Sequence, residues 1–349
     1  MQAVILKKFG GPEGLVDGTL PVPEVGPHDV LIRVRAVGFN PTDYQLRQAG
    51  HPDISPPVVL GRDVAGVVEA CGTEVTALQP GAAVYGYLAR RRPGGYAEYA
   101  AVPHWFVAPK PASLSFLEAA SVPVAGLTAL RSLRRVRPNP EKSLLVAGGA
   151  GGVGSWAIEL GKAFGLTRTV TTAGSDKSRA YLRDELGIAN ARIVDYRDRN
   201  RADLAAAAIA ANDGELFDIT LDCVGGAMTH LCCDAVGFER DVVSIVNGPM
   251  DQSHGAKTAD EDNLFDKAAA FHFELCSAVA YYAPVARHAV YGDLLHELTA
   301  LIDGKKIKLP PVTDLGPLSA AVVREAHRRL EGGHTIGKLA AAVQYQASL

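Results

Sequence analysis

The chain has 349 residues, 48% of them hydrophobic, with 35 basic side chains set against 38 acidic ones. That length exceeds what one compact core usually serves, so two domains are expected, and the near-cancelled charge excludes the strongly basic surface a nucleic-acid partner requires. Five scattered cysteines (Cys71, Cys223, Cys232, Cys233, Cys276) form no C-x-x-C pair, which argues against both a disulfide framework and a cysteine-rich zinc lobe. The apolar run near Met1 is too short for a signal-peptide core, and no stretch reaches spanning length unbroken, so a cytoplasmic protein without a membrane partner is expected.

Residues 1–122 show short β-type runs at 3–6, 29–36, 64–70, 82–85 and 96–102, punctuated by Gly and Pro. They predict a compact, curved β domain with few helices. From Leu117 the texture turns helical: Glu118-Ala119-Ala120 opens an alanine-rich helix, Pro123 interrupts it, and a second segment runs from Gly126 into Arg135. Next comes Ser143-Leu144-Leu145-Val146-Ala147, an apolar strand leading into Gly148-Gly149-Ala150-Gly151-Gly152-Val153-Gly154.

Gly149, Gly151 and Gly154 satisfy G-x-G-x-x-G, a pattern that needs glycine for a tight turn, for close approach of backbone to a pyrophosphate, and for tight helix-on-strand packing. Trp156, Ala157, Leu160, Ala163 and Phe164 then recur at helical spacing, Gly165 can end the helix, and residues 169–173 form a second β-branched strand. Strand, glycine turn, helix and strand make a βαβ unit whose opening amides face phosphates.

Further strands are expected at 191–195, 219–222 and 242–246, alternating with helices at 176–186, 202–211 and 228–235, which indicates a doubly wound parallel sheet. Residues 271–282 read as a sixth strand. The tail offers an amphipathic helix at 292–302, a proline-rich extended piece at 309–312, a helix at 319–330 and a strand at 338–343. Since the nucleotide fold is complete before this tail, the tail is expected to return to the first domain.

Several segments in this order are similar to the medium-chain dehydrogenase/reductase superfamily, in its zinc-free quinone oxidoreductase and enoyl reductase branch. They are Val37-Gly38-Phe39-Asn40-Pro41-Thr42-Asp43, Leu60-Gly61-Arg62-Asp63-Val64-Ala65-Gly66, Gly94-Gly95-Tyr96-Ala97-Glu98-Tyr99, Ala125-Gly126-Leu127-Thr128-Ala129, the glycine turn, Asp195-Tyr196-Arg197, Asp222-Cys223-Val224-Gly225-Gly226 and Gly333-His334-Thr335-Ile336-Gly337-Lys338. The resemblance implies an α/β protein with a GroES-like β-rich catalytic domain (1–122 and 284–349) and a Rossmann domain (123–283). In zinc-dependent relatives a cysteine stands at the position of Asn40 and a histidine at that of Arg62, and a guanidinium cannot ligate a metal. No metal site is therefore expected.

The resemblance also implies NADPH. An NAD enzyme would end its second strand in Asp or Glu, whereas here Ala173-Gly174-Ser175 follows. In NADPH-using relatives the 2′-phosphate is met by residues matching Gly174, Ser175, Lys177 and Tyr196. Either Ser175 or Asp176 can also cap the next helix. Further cofactor contacts are implied at Thr128, Gly149, Gly151, Gly152, Val153, Gly154, Asn247 and Lys338. Thr128 can alternatively bond back to its own helix.

Asn40 is implied beside the nicotinamide, donating to a substrate carbonyl. The proton for the α-carbon then comes from His51, from Tyr44 or from water. The implied activity is hydride transfer to quinones or α,β-unsaturated carbonyl compounds. An enoyl-thioester reductase, with Arg47, Arg62 or Arg90 to Arg92 meeting phosphates, is the nearest alternative, and a silent NADPH-binding protein is another. A homodimer pairing through the 271–282 edge is expected.

Overall fold

The computed structural model describes residues 1–89, 93–246 and 264–345. By contacts the chain divides into Met1–Leu127 with Cys276–Leu349 as one unit, and Thr128–Leu275 as the other. The junctions thus fall inside a helix and just ahead of another, near but not at residues 122 and 284.

The first unit begins with β1 (Gln2–Leu6), β2 (Leu15–Thr19), β3 (Asp29–Phe39), α1 (Pro41–Ala49), β4 (Val58–Val59), β5 (Asp63–Cys71), β6 (Ala83–Tyr87), β7 (Tyr99–Pro103) and β8 (Val107–Pro109). Strands β2, β1 and β4 form one small antiparallel sheet. The helix α1 is one of the few helices of this β-rich unit, and its position was not assigned from the sequence. It forms because Asn40-Pro41-Thr42-Asp43 is a capping box with proline in the first turn, where a missing N–H costs nothing. Two helices follow, α2 (Phe116–Ala120) and α3 (Pro123–Arg135).

The second unit contains β9 (Ser143–Ala147), α4 (Gly152–Ala163), β10 (Arg168–Ala173), α5 (Asp176–Ala180), β11 (Ile193–Asp195), α6 (Arg201–Ala211), β12 (Phe217–Asp222), α7 (Ala227–Ala235), β13 (Val236–Ser244) and β14 (Ala270–Phe273). All its strand pairs are parallel, in the order β11-β10-β9-β12-β13-β14, which is the doubly wound arrangement the alternation predicts. Both faces of β9 are buried, so its sequence is apolar without alternation. Residues 271–282 are not one strand: β14 stops at Phe273. Glu274, next in the chain, still donates its N–H to the Ser244 carbonyl at 2.9 Å, and its buried carboxylate meets Arg131 and Arg135, each at 2.6 Å.

The tail supplies α8 (Ala278–Tyr282), α9 (Ala289–Asp303), β15 (Val312–Pro317), α10 (Ala320–Glu331) and β16 (Lys338–Ala342). It returns to the first unit, where β16 pairs with β3 in a seven-stranded sheet. On the other side α10 is bolted to α1 by Arg47. This fully buried guanidinium donates to His327 Nδ1 at 3.2 Å, to the Gly10 carbonyl and to Glu331.

Burial, with the Arg47 charge beside it, pushes the His327 pKa down to about 3. Between that value and the ordinary 6.5 the unfolded chain binds a proton that the folded chain does not, so stability falls as pH falls through this window. The variant His327→Asn is accordingly expected to lose less of its urea midpoint than the parent chain when pH drops from about 7 to about 4. Parallel losses would show that His327 is not the linked group.

Candidate functional site

Two groups of residues stand out, one in each unit. In the second, the chain leaves β9 at Gly148, whose φ of +84° is a left-handed turn suited to glycine. The tight-turn role expected of Gly149 therefore falls one residue earlier. A Cβ on Gly149 would lie 2.0 Å from Thr171 Oγ1, and one on Gly154 only 2.2 Å from the Gly148 carbonyl oxygen. Both clearances press α4 against the strand ends. Gly151 is the N-cap of α4 and no side chain caps it, which leaves the helix's opening turn, Gly152, Val153 and Gly154, with donors suited to an anion.

Beside this turn, Asp222 pairs across the sheet with Ala147. Its carboxylate is satisfied by the N–H groups of Val224 and Gly225 and by the hydroxyls of Thr229 and Ser244, at 2.6–3.0 Å. These bonds fix the Val224 loop, whose side chain would touch any Cβ on Gly148.

At the end of β10, Gly174 lies under Tyr196: a Cβ there would be 2.1 Å from the tyrosine oxygen. Ser175 caps α5, its Oγ accepting from the Ser178 N–H at 3.1 Å. The cap thus falls to Ser175, not to Asp176. Asp176 is exposed and its carboxylate sits 3.7 Å from Arg197, which also holds Asp195 at 2.6 Å. Lys177 is exposed one position later. Thr128 is buried, and its carbonyl accepts from the Ser132 hydroxyl. Asn247 lies outside the described residues, as do Arg90, Arg91 and Arg92.

In the first unit, β3, α1, β5 and β16 bring Asn40, Asp43, Arg62, Asp63, Tyr96 and Lys338 into one buried cluster. Asn40 Nδ2 donates to Asp63 Oδ2 at 2.8 Å, and Asn40 Oδ1 accepts from the Lys338 ammonium. Lys338 also donates to the Phe39 carbonyl at 3.0 Å and lies 3.6 Å from Asp63. Asp63 Oδ1 accepts from the Val124 N–H, so the carboxylate ties β5 to the start of α3. Asp43 Oδ2 takes the Asn40 N–H at 2.9 Å and the Tyr96 hydroxyl at 3.0 Å.

The resemblance implies that Asn40 donates to a substrate carbonyl. The structure instead makes its amide a link between a carboxylate and an ammonium, with one amide N–H remaining. Lys338 likewise bonds Asn40 and the Phe39 carbonyl inside this cluster. Arg47 and Arg62, offered as phosphate-binding cations, are both buried and fail that role on accessibility.

Burial raises the pKa of Asp43 to about 6 against the opposing Arg62 charge, with Asp63 adding to the rise. Asp63 is also raised by burial and held back by Lys338, while burial lowers Lys338 against the pull of Asp63. The His51 imidazole contacts Asp53, outside this network. His51 is in the loop after α1, where Nδ1 accepts from the Asp53 N–H at 3.2 Å. Tyr44 is half-buried on α1.

The sequence of the first part matches the model described as alcohol dehydrogenase GroES-like domain over residues 26–112, and the later part matches zinc-binding dehydrogenase over 189–340. An NADPH-dependent alkenal/one oxidoreductase of Arabidopsis thaliana is 32% identical over 97% of this chain and 78% of its own. The chain belongs to the medium-chain dehydrogenase/reductase superfamily. Among solved structures of this superfamily, the quinone oxidoreductase of Coxiella burnetii is 28% identical, covers 99% of both chains and superposes with a TM-score of 0.79. A mycobacterial protein complexed with NADPH gives 25% identity and a TM-score of 0.83, over 98% of this chain and 100% of that one.

The Lys338–Asp63 contact has a testable consequence. Lys338→Met strands a buried carboxylate and is expected to destabilise the first unit by roughly 3 kcal/mol, while adding Asp63→Asn restores a large part of the loss. Urea unfolding of the two variants reads the difference, and an equal or greater loss in the double variant would refute charge pairing as the reason.

Proposed function

We propose that this chain is a zinc-independent, NADPH-dependent oxidoreductase that reduces quinones or the activated double bond of α,β-unsaturated carbonyl compounds. The observation carrying this reading is the β9–α4 turn, closed by Gly149 and Gly154, together with a β10 end that presents Gly174 and Ser175 instead of a carboxylate. A dinucleotide fits there: the clearance at Gly154 lets backbone amides reach a pyrophosphate, and Asp176, the one acid nearby in sequence, is paired with Arg197.

Ser175, Lys177 and Tyr196 are assigned to the 2′-phosphate, with Thr128, Gly151, Gly152, Val153 and Asn247 as further cofactor contacts. NADPH supplies the hydride when bound. The names of relatives, an alkenal/one oxidoreductase and a quinone oxidoreductase, support the acceptor class.

Zinc does not fit the first unit's cluster. Asn40 spends its amide on Asp63 and Lys338, and Arg62 offers only donors. The protein's own work is then to orient the acceptor, exclude water and deliver a proton. Asn40, locked by Asp63 and Lys338, has a remaining amide N–H for a carbonyl. The proton for the α-carbon is assigned to His51, to Tyr44 or to water. The burial of Arg47 and Arg62, two of the cations a thioester's phosphates would need, supports small acceptors over acyl thioesters, while Arg90 to Arg92 lie outside the described residues. We further assign a cytoplasmic protein that forms a homodimer along the open β14 edge, where Phe273 is exposed; no helix among the described residues is long and apolar enough to cross a membrane.

Oxidation of NADPH is expected with methyl vinyl ketone or a small quinone, much slower with crotonyl thioester and absent without an acceptor. A silent nucleotide-binding protein would show no acceptor dependence. Gly154→Val should raise KM for NADPH by about tenfold or more, since its side chain would displace the Gly148 carbonyl; an unchanged KM would remove the turn from the binding site.

A further inference from the structure

The first unit contains a concavity that none of the residues of the polar cluster around Asn40 lines. It is a pocket of about 180 Å³ bounded by the end of β7, the turn His104–Phe106, α8 and the start of α9, with Val102, Trp105, Phe106, Ala280, Val285 and His288 in its wall. All of its lining residues belong to this one unit. Val285 is 58% exposed, so the pocket opens to solvent at that side chain. Among the described residues, no Asp, Glu, Lys or Arg lines it, and only Trp105 and His288 bring hydrogen-bonding side-chain atoms. His288 Nε2 lies 3.3 Å from the Ala283 carbonyl, and Trp105 Nε1 is buried from solvent. A ligand therefore meets mainly aliphatic and aromatic surface.

The walls are held in place by contacts that need no ligand. Tyr291 on α9 accepts the Ala280 N–H at 3.1 Å and donates to the Cys276 carbonyl at 2.5 Å, which ties α8 to α9. Phe106 packs on His288, Tyr291 and Tyr87 at ring separations of 5.4, 5.1 and 5.9 Å, and Trp105 lies 6.1 Å from His288. The aromatic wall is preformed, so a ligand loses little in ordering it. An apolar cavity of about 150 Å³ is already large enough to hold benzene, and water competes poorly where it lacks its usual two to four or so polar partners.

We propose that this pocket is a binding site for an uncharged molecule with a single aromatic ring, seated against Trp105, Phe106 and His288. The three side-chain rings give such a ligand edge and face contacts that an aliphatic chain would not use, which selects for aromaticity. A charged substituent turned inward would be desolvated with no counter-ion in the wall, which selects for neutrality. Binding requires neither nucleotide nor turnover, and it holds whether or not the chain reduces enones.

Toluene and benzoate, a neutral and an anionic single ring, are the probes. Trp105 and Trp156 are the two tryptophans of the chain, and Trp156 is fully buried on α4 of the second unit. In the full chain labelled with fluorotryptophan, the fluorine resonance that Trp105→Phe removes is expected to shift saturably with toluene, with half-saturation at about 1 mM. The Trp156 resonance should stay in place, and benzoate should move neither. Ala280→Phe, which fills the pocket, is expected to abolish the shift. Should that variant not fold, Val285→Asp decides: it changes an exposed side chain at the rim and should weaken toluene binding about tenfold. No saturable Trp105 shift in the parent chain, an equal response to benzoate, or undiminished binding in Val285→Asp overturns the assignment. A Trp105 resonance that moves on dilution of the chain alone gives the pocket to a second copy, and that result overturns it too.

Discussion

The carbonyl oxygen of Gly148 occupies the space that any side chain at position 154 would need. From that steric fact follows the seating of α4 against β9, the absence of a side-chain cap at Gly151, and the aim of the opening amides past the ends of β9 and β12. The neighbouring strand reinforces it, since the Asp222 carboxylate binds the backbone of the loop whose Val224 side chain approaches Gly148. A helix start left open at the point where the strand order reverses is a place where negative charge is stabilised.

The first unit handles polar groups in the opposite way. Its charges are gathered inside and balanced against each other, Lys338 on Asp63 and Asn40, and Asp43 on Tyr96 and the Asn40 backbone. Such pairing yields little net stability but fixes geometry, because each member left alone would be costly. The same logic explains why Arg47 clamps α1 to α10 from within. Asn40 thereby becomes an oriented group, and the Arg62 charge opposes the rise that burial imposes on Asp43.

Much of this was legible in the residues. The β9–α4 unit declares itself because apolar strand, glycine turn and helical spacing are all local, and the alternation that follows indicates a parallel sheet. What escaped depends on packing or on short signals. Helix α1 has too few turns for periodicity to reveal, yet Asn40-Pro41-Thr42-Asp43 carries the capping box that would have exposed it. The 271–282 run is mostly apolar, with His272, Glu274 and Ser277 as exceptions, and the buried Glu274 carboxylate that follows the strand is held by Arg131 and Arg135 from α3. Burial of Arg47 and Arg62 is a tertiary fact, set by helices and strands far away in the chain. The shift of the turn from Gly149 to Gly148 reflects two adjacent glycines, either of which the motif could use.

Under the proposed function, the β9–α4 turn holds the pyrophosphate of a nucleotide whose 2′-phosphate meets no acid at the end of β10. Calorimetric titration of the purified chain in metal-free buffer with NADPH and with NADH addresses it most directly. One NADPH per chain, bound more tightly than NADH, is the predicted result; no detectable binding of either nucleotide, or tighter binding of NADH, would contradict it.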